Sequence, residues 1–578
     1  MASEIKKRGQ KIIKRFSRVS MKASAEGKEH IRENFFQRLS HIQNIRLLIV
    51  EWSLLVVALV FLAIAQGVWF GETYTEDVFV AGGTYTEGTI GQVNSMNPLF
   101  AVTNSEKVLS KLMFSTLTTI DYSGHIGMGL ASSLSPSENG KVWTLRLRDG
   151  LLWSDGQPIT NEDVLFTIGL IQNQATNTIF GANLAGVKVS EDGNGNIVFK
   201  LPSAYADFAT ALEIPIVPKH ELDDADPKTL VEDEFSNTPV VSGTFELNAI
   251  QTDTGSNNVV VYLSPNKNYY LGRPLVNTFG VHTYESITEL KEALKRGEVT
   301  ATAELNGKDA DIEDLPLYNK RESSINAGVF MFFNTNSGVL KDVQLRNTLR
   351  VGINLARLRE VAPDTIPLNY PLLKSQISLN NYPAIPGHDF EAAKAKITES
   401  FGENIPTFNV VTVSSGYLPE VAEALKEELE NLGVGCNVTI YDESQDFVSN
   451  VVSRRYYDIL LYEIELGAEP DLLPYYHSSQ AGTTGLNLSN YRNILVDDLL
   501  IAARETLDAQ LRVKKYESFL EYWVNDVPAI GLYQANMTYL YNKNVRSYEN
   551  DVRLVMPLDR FSDVMNYASV KADRNKTP

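Results

Sequence analysis

The sequence predicts a mixed α/β fold, because strand patterns and helix patterns alternate along the chain. Within residues 408–462, FNVVTV is apolar enough for a buried strand, and CNVTIY and YDILLYE follow as two more strands. Between the first two, residues 419–432 carry apolar side chains at helical spacing. Strands that alternate with helices indicate a mainly parallel sheet, whose ligands bind beyond the carboxyl ends of the strands. We therefore expect a ligand contact just after YDILLYE.

Local patterns predict further elements in chain order. VWTLRLRDG at 142–150 alternates apolar and polar residues and ends in Asp-Gly, as a strand running into a turn does. Thr160 is a predicted helix N-cap, because Asp163 follows three residues later as in a capping box. VVVYLSPNKNYY at 259–270 reads as another strand, and residues 447–452 read as a short helix. No repeat of roughly 20–50 residues is visible, which disfavours solenoids and propellers.

Length and charge limit the class of protein. At 578 residues the chain is long enough for about two to four domains. The net charge of −19 is unevenly distributed: residues 1–46 carry twelve Lys or Arg and four Asp or Glu, whereas the remainder carries 40 basic and 67 acidic side chains. An acidic body repels phosphate backbones, so nucleic acid is not an expected partner.

The sequence shows no familiar catalytic or metal-binding motif. The phosphate-binding pattern G-x-x-x-x-G-K-[ST], the zinc pattern H-E-x-x-H and the nucleophile pattern G-x-S-x-G are all absent. Seven histidines are scattered, with none at i,i+4 spacing, and Cys436 is the only cysteine, so neither a disulfide within the chain nor a cysteine-based metal site can form. We therefore expect no catalytic residues, no metal and no cofactor.

One apolar segment is long enough to cross a membrane. Leu47 to Phe70 has a single charge, Glu51, and tryptophans near both ends. The basic run before it places the N-terminus in the cytoplasm and the acidic body outside. The alternative is a cleaved signal peptide, because Ala63-Ile64-Ala65 resembles a cleavage site, although the charged region before it is far longer than in signal peptides.

Several motifs, in matching order and spacing, resemble one protein family. They are SMNPLF (95–100), the block 130–171 with the core W-x-D-G-x-P-[IL]-T-x-x-D-V-x-F at 153–166, IPIVPKHEL (214–222) and RRYYDILLYEIELGAEPD (454–471). The chain resembles the solute-binding proteins of ABC transporters, family 5, the oligopeptide, dipeptide and nickel type. Most of the matched block is expected to be scaffold, with Trp153 anchoring a small core and Asp163 in the first turn of a helix.

The resemblance implies a two-lobed, periplasmic-binding-protein-like fold of type II, in its large three-domain form, with a hinge and a cleft that closes over the ligand. The implied order is a basic cytoplasmic segment (1–46), a transmembrane helix (47–70), a linker (71–84), lobe I (78–118, 206–287 and 535–578), a small inserted domain (119–205) and lobe II (288–534).

The resemblance also implies a first ligand contact near the N-terminal end of the body. In the family, the loop that follows the Asn-Pro of SMNPLF lies at the cleft. The candidate ligand-binding residues in this loop are Val102, Thr103 and Asn104.

The second implied contact is the turn after YDILLYE. Peptide-binding members carry a Gly-Trp pair there and, four residues before a proline, an aspartate that pairs with the α-ammonium group of the peptide, since a buried ammonium needs a carboxylate partner. In this chain those positions fall on Tyr462, Glu463 and Leu466, so the aspartate is absent at its matched place. Glu465 is one residue away, and on a strand it would share a face with Glu463. All four are candidate ligand-binding residues.

The function expected from these features is that of a membrane-anchored, extracellular substrate-binding subunit of an ABC importer, which captures peptides and delivers them to permease subunits. Three alternatives stay open. The same fold could bind another small solute, such as an oligosaccharide or a metal chelate, which the loss of the aspartate at Leu466 favours. The protein could instead be a membrane-bound sensor or adaptor. An enzyme is disfavoured by the missing motifs.

Overall fold

The computed structural model describes residues 42–575, except 182–183, 253–254, 256, 364 and 443–446. The chain forms two compact units. The larger is Phe79–Val570, and the smaller consists of the residues on either side of it.

The helices and strands are numbered here along the chain. The helices are α1 (Ile42–Tyr74), α2 (Asn104–Met113), α3 (Asn161–Gln172), α4 (Lys219–Leu222), α5 (Ile287–Arg296), α6 (Val343–Gly352), α7 (Leu355–Glu360), α8 (Phe390–Phe401), α9 (Leu418–Leu432), α10 (Leu473–Tyr476), α11 (Ile494–Glu505) and α12 (Ala509–Asp526).

The strands are β1 (Thr75–Val80), β2 (Thr84–Ile90), β3 (Thr118–Ile120), β4 (Ile126–Met128), β5 (Ala131–Pro136), β6 (Val142–Leu147), β7 (Lys188–Glu191), β8 (Ile197–Lys200), β9 (Phe245–Thr252), β10 (Val259–Pro265), β11 (Thr278–Tyr284), β12 (Ala301–Thr302), β13 (Tyr318–Phe333), β14 (Ile366–Pro367), β15 (Thr407–Val413), β16 (Gly435–Tyr441), β17 (Ile459–Glu465), β18 (Ala529–Asn542) and β19 (Val570–Asn575).

Helix α1 contains the apolar segment predicted to span a membrane. Its backbone is helical throughout 47–70, and the apolar side chains from Val50 to Ile64 are exposed. Within the described part of the chain, no helix combines the length and hydropathy needed for a membrane crossing. The structure therefore confirms a helix at 47–70 but does not show that it spans a membrane. Of the basic segment 1–46, residues 1–41 lie outside the described part of the chain.

Most local predictions for the body are confirmed. The strands expected at 142–150 and 259–270 are β6 and β10, and the helix expected at 419–432 is α9, which ends at Gly433 with a φ of +92°. A left-handed backbone conformation after the last turn favours glycine at that position, which explains why the helix ends there. The short helix expected at 447–452 is a π-helical turn at Val448–Val452.

The main sheet of the larger unit is mixed, which corrects the expectation of a mainly parallel sheet. Its strand order is β16-β15-β17-β13-β18-β12-β2-β11-β10-β9, with β14 added beside β18. Strand β15 pairs in parallel with β16 and β17, as the alternation of strands and helices predicted. The two longest strands, β13 and β18, pair with each other in antiparallel fashion and join the two halves of the sheet.

Two large hydrophobic cores lie within the larger unit. The first core includes Tyr85, the inserted four-stranded sheet β5-β6-β8-β7 and the segment that follows β18. The second core lies entirely between Val329 and Tyr533. Both long strands pass from one core to the other. In β13, Ala327 packs in the first core and Val329 in the second. In β18, Tyr533 packs in the second core and Ala535 in the first.

The matched motif at 153–166 packs as predicted. The Trp153 side chain is fully buried in the first core. Asp163 Oδ2 accepts a hydrogen bond from the backbone N–H of Thr160 at 2.8 Å, which confirms the capping interaction. Asp163 Oδ1 also accepts the N–H of Lys219 at 2.9 Å. The carboxylate therefore ties the start of α3 to the start of α4, a tertiary contact that its position in a capping box does not reveal.

Candidate functional site

A cavity of about 330 Å³, called here the main cavity, is bounded by residues of both hydrophobic cores. Ile325 and Met537 come from the first core, whereas Val413 and Leu418 come from the second. The main cavity lies at the carboxyl ends of the parallel strands β15 and β17, where the topology predicted a ligand contact. A smaller adjoining cavity of about 60 Å³ shares several of these wall residues.

The end of β17 supplies three predicted site residues to the wall of the main cavity. Tyr462, Glu463 and Glu465 all line it, and both glutamate side chains are exposed. The residues between and after them, Ile464 and Leu466, are buried in the second core. This alternation places the two carboxylates on one face of the strand, as their spacing predicted.

Leu466 differs from its three neighbours. Its side chain is 5% exposed, and its backbone N–H donates to the carbonyl of Asn326 at 2.7 Å. It is not among the described residues that line the main cavity. A leucine at this position therefore contributes to packing, where an aspartate would have needed a partner for its charge.

The turn after β17 is held by amide side chains that sequence reasoning missed. Gln376 Nε2 donates to the carbonyl oxygens of Leu466 at 2.6 Å and Gly467 at 3.1 Å, and Asn326 Nδ2 donates to that of Gly467 at 2.9 Å. The Tyr475 hydroxyl donates to the carbonyl of Glu465. The two amide side chains lie far from the turn in sequence, 90 residues away for Gln376 and Leu466 and 141 for Asn326 and Gly467, and no local pattern could have indicated them.

The loop with the other three candidates is organised by a buried carboxylate. Glu106, which is 3% exposed, accepts backbone N–H groups from Val102 at 2.9 Å and Thr103 at 3.0 Å through Oε2. Its Oε1 accepts those of Asn94 at 2.9 Å and Ser95 at 3.3 Å. The pattern Thr103-x-x-Glu106 is a capping box and could have revealed this role from sequence.

None of the three loop candidates is among the described residues that line the main cavity, and Asn104 alone contacts a residue next to its wall. Asn104 Nδ2 donates to Glu304 Oε2 at 2.9 Å, and the adjacent Ala303 belongs to the cavity wall. Burial raises the pKa of Glu304, and the hydrogen bond from Asn104 opposes that shift. Val102, whose side chain is 65% exposed, and Thr103 are not among the described wall residues.

A larger cavity of about 630 Å³ lies beside α2 and β3. Its described lining residues all lie outside 329–533, so the second core does not contribute to it. Movement of one core relative to the other would leave this larger cavity unchanged. The main cavity is therefore the better candidate for a site that closes over a ligand.

Charged side chains also connect the two cores away from the cavity. Arg512 Nη1 lies 2.5 Å from Asp207 Oδ1, which belongs to the side of the first core. Arg504 forms an ion pair on its own side, where its Nη2 lies 2.8 Å from Asp471 Oδ2. The guanidinium of Arg504 also lies over the ring of Tyr205, 4.5 Å from its centroid. Burial raises the pKa of Asp207 to about 6, and Arg512 opposes this shift.

Among the described residues, one group could hold a metal ion: Asp155, His220 and Glu221. The His220 Nε2 lies 3.0 Å from Asp155 Oδ2 and 3.8 Å from Glu221 Oε1, and the group lies away from the main cavity. The hydrogen bond between Asp155 and His220 is a sufficient reason for their proximity. The absence of a metal site stays a prediction.

Comparison with known proteins identifies the family. The sequence profile of the bacterial extracellular solute-binding proteins, family 5 Middle, matches residues 125–485, more than half of the chain. The protein therefore belongs to the bacterial extracellular solute-binding proteins of family 5. This confirms the resemblance. It also confirms that the chain is a solute-binding protein of an ABC importer, and not an enzyme, with its binding body outside the cell.

Individual relatives agree with this assignment. The oligopeptide-binding protein AppA of Bacillus subtilis is 23% identical over 494 residues, which cover 81% of this chain and 89% of AppA. The structure of AppA in complex with a nonapeptide matches with a TM-score of 0.69 and 21% identity, covering 85% of this chain and all of AppA. NikZ from Campylobacter jejuni in complex with Ni(L-His) matches with a TM-score of 0.70 and 21% identity, covering 84% and 99% of the two chains. At these identities, the structural matches show the fold alone.

Proposed function

We propose that the protein captures peptides in the main cavity, closes over them and delivers them to the permease of its importer. The observation that carries this proposal is that the cavity takes its walls from both hydrophobic cores, beside the two strands that pass between them. Bending of β13 and β18 would open and close such a cavity, as in other hinge-bending binding proteins.

In this proposal the two lobes correspond to the two cores. The change of core in β18 between Tyr533 and Ala535 supports a boundary at 534–535. The change in β13 between Ala327 and Val329 supports a second boundary there and not at the expected 287–288, because residues before Val329 pack outside the second core. Lobe I would then hold the inserted domain 119–205.

Among the candidate residues, we assign ligand contacts to Tyr462, Glu463 and Glu465, which line the cavity. Asn104 would act through Glu304 at the edge of the cavity. Val102 and Thr103 would form its outer rim, and Leu466 would support the wall from within the second core.

The choice of peptides rests on the relatives, since AppA is described with a bound nonapeptide. Isothermal titration calorimetry with a library of short peptides tests it. We expect 1:1 binding with a negative heat-capacity change, because a closing cavity removes apolar surface from water. If no peptide in the library produces heat, peptide capture is wrong.

A non-peptide solute is the second candidate. Leu466 at the position of the family's aspartate favours it, and the fold also binds a ligand other than a peptide, since NikZ is described with Ni(L-His). Native mass spectrometry of protein purified from its own host would decide between the two. A co-purifying non-peptide mass would support this candidate, and a peptide mass would exclude it.

We also propose that α1 anchors the protein in the membrane, with 1–46 in the cytoplasm. The exposed apolar side chains from Val50 to Ile64 support this, because such a surface is stable in lipid and not in water. Fractionation of cells after carbonate extraction tests it. Recovery of full-length protein in the membrane pellet is expected, whereas release into the soluble fraction would contradict the anchor.

A sensor or adaptor role for residues 1–46 makes a separate prediction. If the tail signals, deletion of residues 1–40 should abolish a response but leave peptide uptake intact. If the protein serves transport alone, the deletion should leave no phenotype besides a change in insertion.

A further inference from the structure

We propose that Asn326 is a positioning residue that links the wall of the main cavity to the bending of β13 and β18. The inference rests on the proposed function, because it takes the main cavity as the ligand site and these two strands as the part that bends. It goes beyond that function by naming the residue that connects the two. We call residues 325–328 of β13 and 534–535 of β18, where both strands pass between the cores, the hinge.

The hinge contains an irregularity in strand pairing. Three residues of β13, 325–327, stand opposite the single residue Ala535 of β18. Extra residues in one strand bend it locally, and their backbone groups need partners outside the paired strand. The hinge is therefore the place where the two long strands depart most from regular pairing.

The part of β18 that precedes this irregularity is held in place by neighbouring segments. Arg359 of α7 donates to the carbonyl oxygens of Leu532 at 2.7 Å and Gly531 at 3.2 Å. Strand β14 pairs with Tyr533 and Gln534, the last residues before the crossing. Because these contacts stiffen β18 as far as Gln534, bending is concentrated at the irregular pairing that follows.

Asn326 lies in the middle of the irregular stretch and contacts both sides of the hinge. Its backbone N–H donates to the carbonyl of Val555 at 2.9 Å, next to Leu554 of the first core. Its own carbonyl accepts the backbone N–H of Leu466 at 2.7 Å, and Leu466 belongs to the second core. One buried residue of the hinge is thus hydrogen-bonded to segments of both cores.

The side chain of Asn326 holds the turn after β17. Its Nδ2 donates to the carbonyl of Gly467 at 2.9 Å, and its Oδ1 accepts the hydroxyl of Ser375 at 3.0 Å. Glu465, at the end of β17, lines the main cavity. A ligand that displaces this wall moves the turn, and the turn moves Asn326. The contacts therefore form one continuous path from the cavity to the hinge, as coupling between two sites requires.

The distance between the two cores reports the state of the hinge without any ligand. Spin labels on Lys188→Cys in the inserted sheet and Glu399→Cys in α8 measure it by double electron–electron resonance, because both positions are exposed. Cys436→Ala in the same chain removes the native thiol.

Asn326→Ala should broaden the distribution of these distances, because the hinge loses its side-chain connection to the turn. Asn334→Ala is the matched control: Asn334 is also 6% exposed, and its Nδ2 donates to the carbonyl of Tyr457 in the second core. It should keep the wild-type distribution. Unchanged distances in Asn326→Ala, or equal broadening in both variants, would overturn the inference.

A change in the turn tests the coupling itself. Gln376→Ala removes a donor to the carbonyl oxygens of Leu466 and Gly467 and so disturbs the turn through a residue outside the hinge. If Asn326 carries the link, Gln376→Ala should alter the inter-core distances in the wild type and add little to the effect of Asn326→Ala. The same change in both backgrounds, or none in either, would refute the link.

A milder variant covers the case in which Asn326→Ala does not fold. Ser375→Ala, at an exposed position, removes one donor to Asn326 Oδ1 and should broaden the distances in the same sense. In that case, wild-type distances in Ser375→Ala would count against the role of Asn326.

A library of short peptides separates this inference from the proposed function. Shorter inter-core distances in the wild type would support peptide capture, and a peptide found in this way should dissociate at least about fivefold faster from Asn326→Ala. Equal dissociation rates would leave peptide capture standing and overturn the inference. If no peptide shortens the distance, peptide capture is wrong, and the effect of Gln376→Ala in the two ligand-free backgrounds decides the inference.

Discussion

At the scale of single residues, Glu106 shows how one carboxylate organises a loop. Four backbone N–H groups converge on its two oxygens, at 2.9 to 3.3 Å. Removal of the buried carboxylate would leave all four donors without this partner, and the donor of the buried residue Ser95 has little access to water, which costs more than the loss of the hydrogen bond alone. The candidate loop with Val102 and Thr103 therefore depends on a side chain outside it.

This argument predicts that Glu106→Ala destabilises the protein by about 3 kcal/mol. The measurement is the free energy of unfolding from urea titrations followed by circular dichroism. Lys107→Ala alters the adjacent exposed position of α2 and should change it by less than about 0.5 kcal/mol. Similar losses for both variants would contradict the role given to Glu106.

His282 in β11 makes a prediction about pH. Burial lowers its pKa to about 4, although Glu298 opposes the shift, and its Nε2 has no hydrogen-bond partner among the described residues. The ordinary pKa is about 6.5, so between pH 6.5 and 4 the unfolded chain binds a proton that the folded protein does not. Above pH 6.5, His282 is neutral in both states and does not change the free energy of unfolding. Below pH 6.5, protonation of the unfolded chain lowers the free energy of unfolding by about 1.4 kcal/mol per pH unit.

Urea titrations at pH 7, 6 and 5 measure this dependence. His282→Phe retains a ring without a titrating group and should reduce the loss of stability on acidification, whereas His388→Gln, at an exposed site, should follow the wild type. Parallel pH profiles for wild type and His282→Phe would refute the assignment.

At the scale of elements, the pairing of β13 with β18 is the feature on which the cavity depends. The register of this pair shifts between Ser324 and Gly328 and again between Val329 and Phe330. A β-carbon on Gly328 would lie 2.5 Å from Leu368 Cδ2 and 2.7 Å from Phe330 Cε2. A glycine therefore permits close packing where the strand passes from one core to the other.

We predict that Gly328→Ala destabilises the protein by about 1–3 kcal/mol, because the added methyl group overpacks the crossing. We expect the same substitution at Gly169 to stabilise the protein. This glycine is exposed inside α3 with no atom within 4 Å of its would-be β-carbon, so Gly169→Ala should stabilise the helix by up to about 1 kcal/mol. Thermal unfolding of both variants shows whether each substitution raises or lowers the stability. Destabilisation by both would contradict the packing argument.

At the scale of the whole binding unit, Phe79–Val570, charged side chains join the two cores. Arg512 and Asp207 are 14% and 8% exposed and are separated by 305 residues in sequence. Such pairs contribute little net stability, but removal of one partner leaves a buried charge. The pair is thus one polar contact between residues that lie on the sides of different cores.

Arg512→Ala should therefore lower the free energy of unfolding by about 3–5 kcal/mol. Arg146→Ala breaks an exposed pair with Asp149 at 4.0 Å and should cost less than about 0.5 kcal/mol. The double variant Asp207→Leu, Arg512→Met should recover most of the loss, since it leaves no unpaired charge. Equal effects of the two arginine substitutions in urea titrations would show that the buried pair is dispensable.

How much of the structure can be predicted from the sequence depends on how far apart the interacting residues lie along the chain. The alternation in β17 predicted that Glu463 and Glu465 share a face, because side-chain direction in a strand depends only on parity along the chain. The motif at 153–166 indicated the family for a similar reason: its turn and helix start use residues close together in sequence. The pattern Thr103-x-x-Glu106 could likewise have indicated a capping box, because its two residues are close together in sequence.

The amino-acid sequence by itself determined the α/β class, the family, and the two segments in which ligand contacts are expected. Only the tertiary structure decided that the sheet is mixed, that β13 and β18 cross between two cores, that Leu466 is buried, and that Gln376 supports the turn beside the cavity. The physical reason is that periodicity and turn chemistry act between near neighbours in the chain. The pairing of β13 with β18, the walls of the main cavity and the ion pair between Arg512 and Asp207 arise between residues about 200 to 300 positions apart, whose meeting no local pattern encodes.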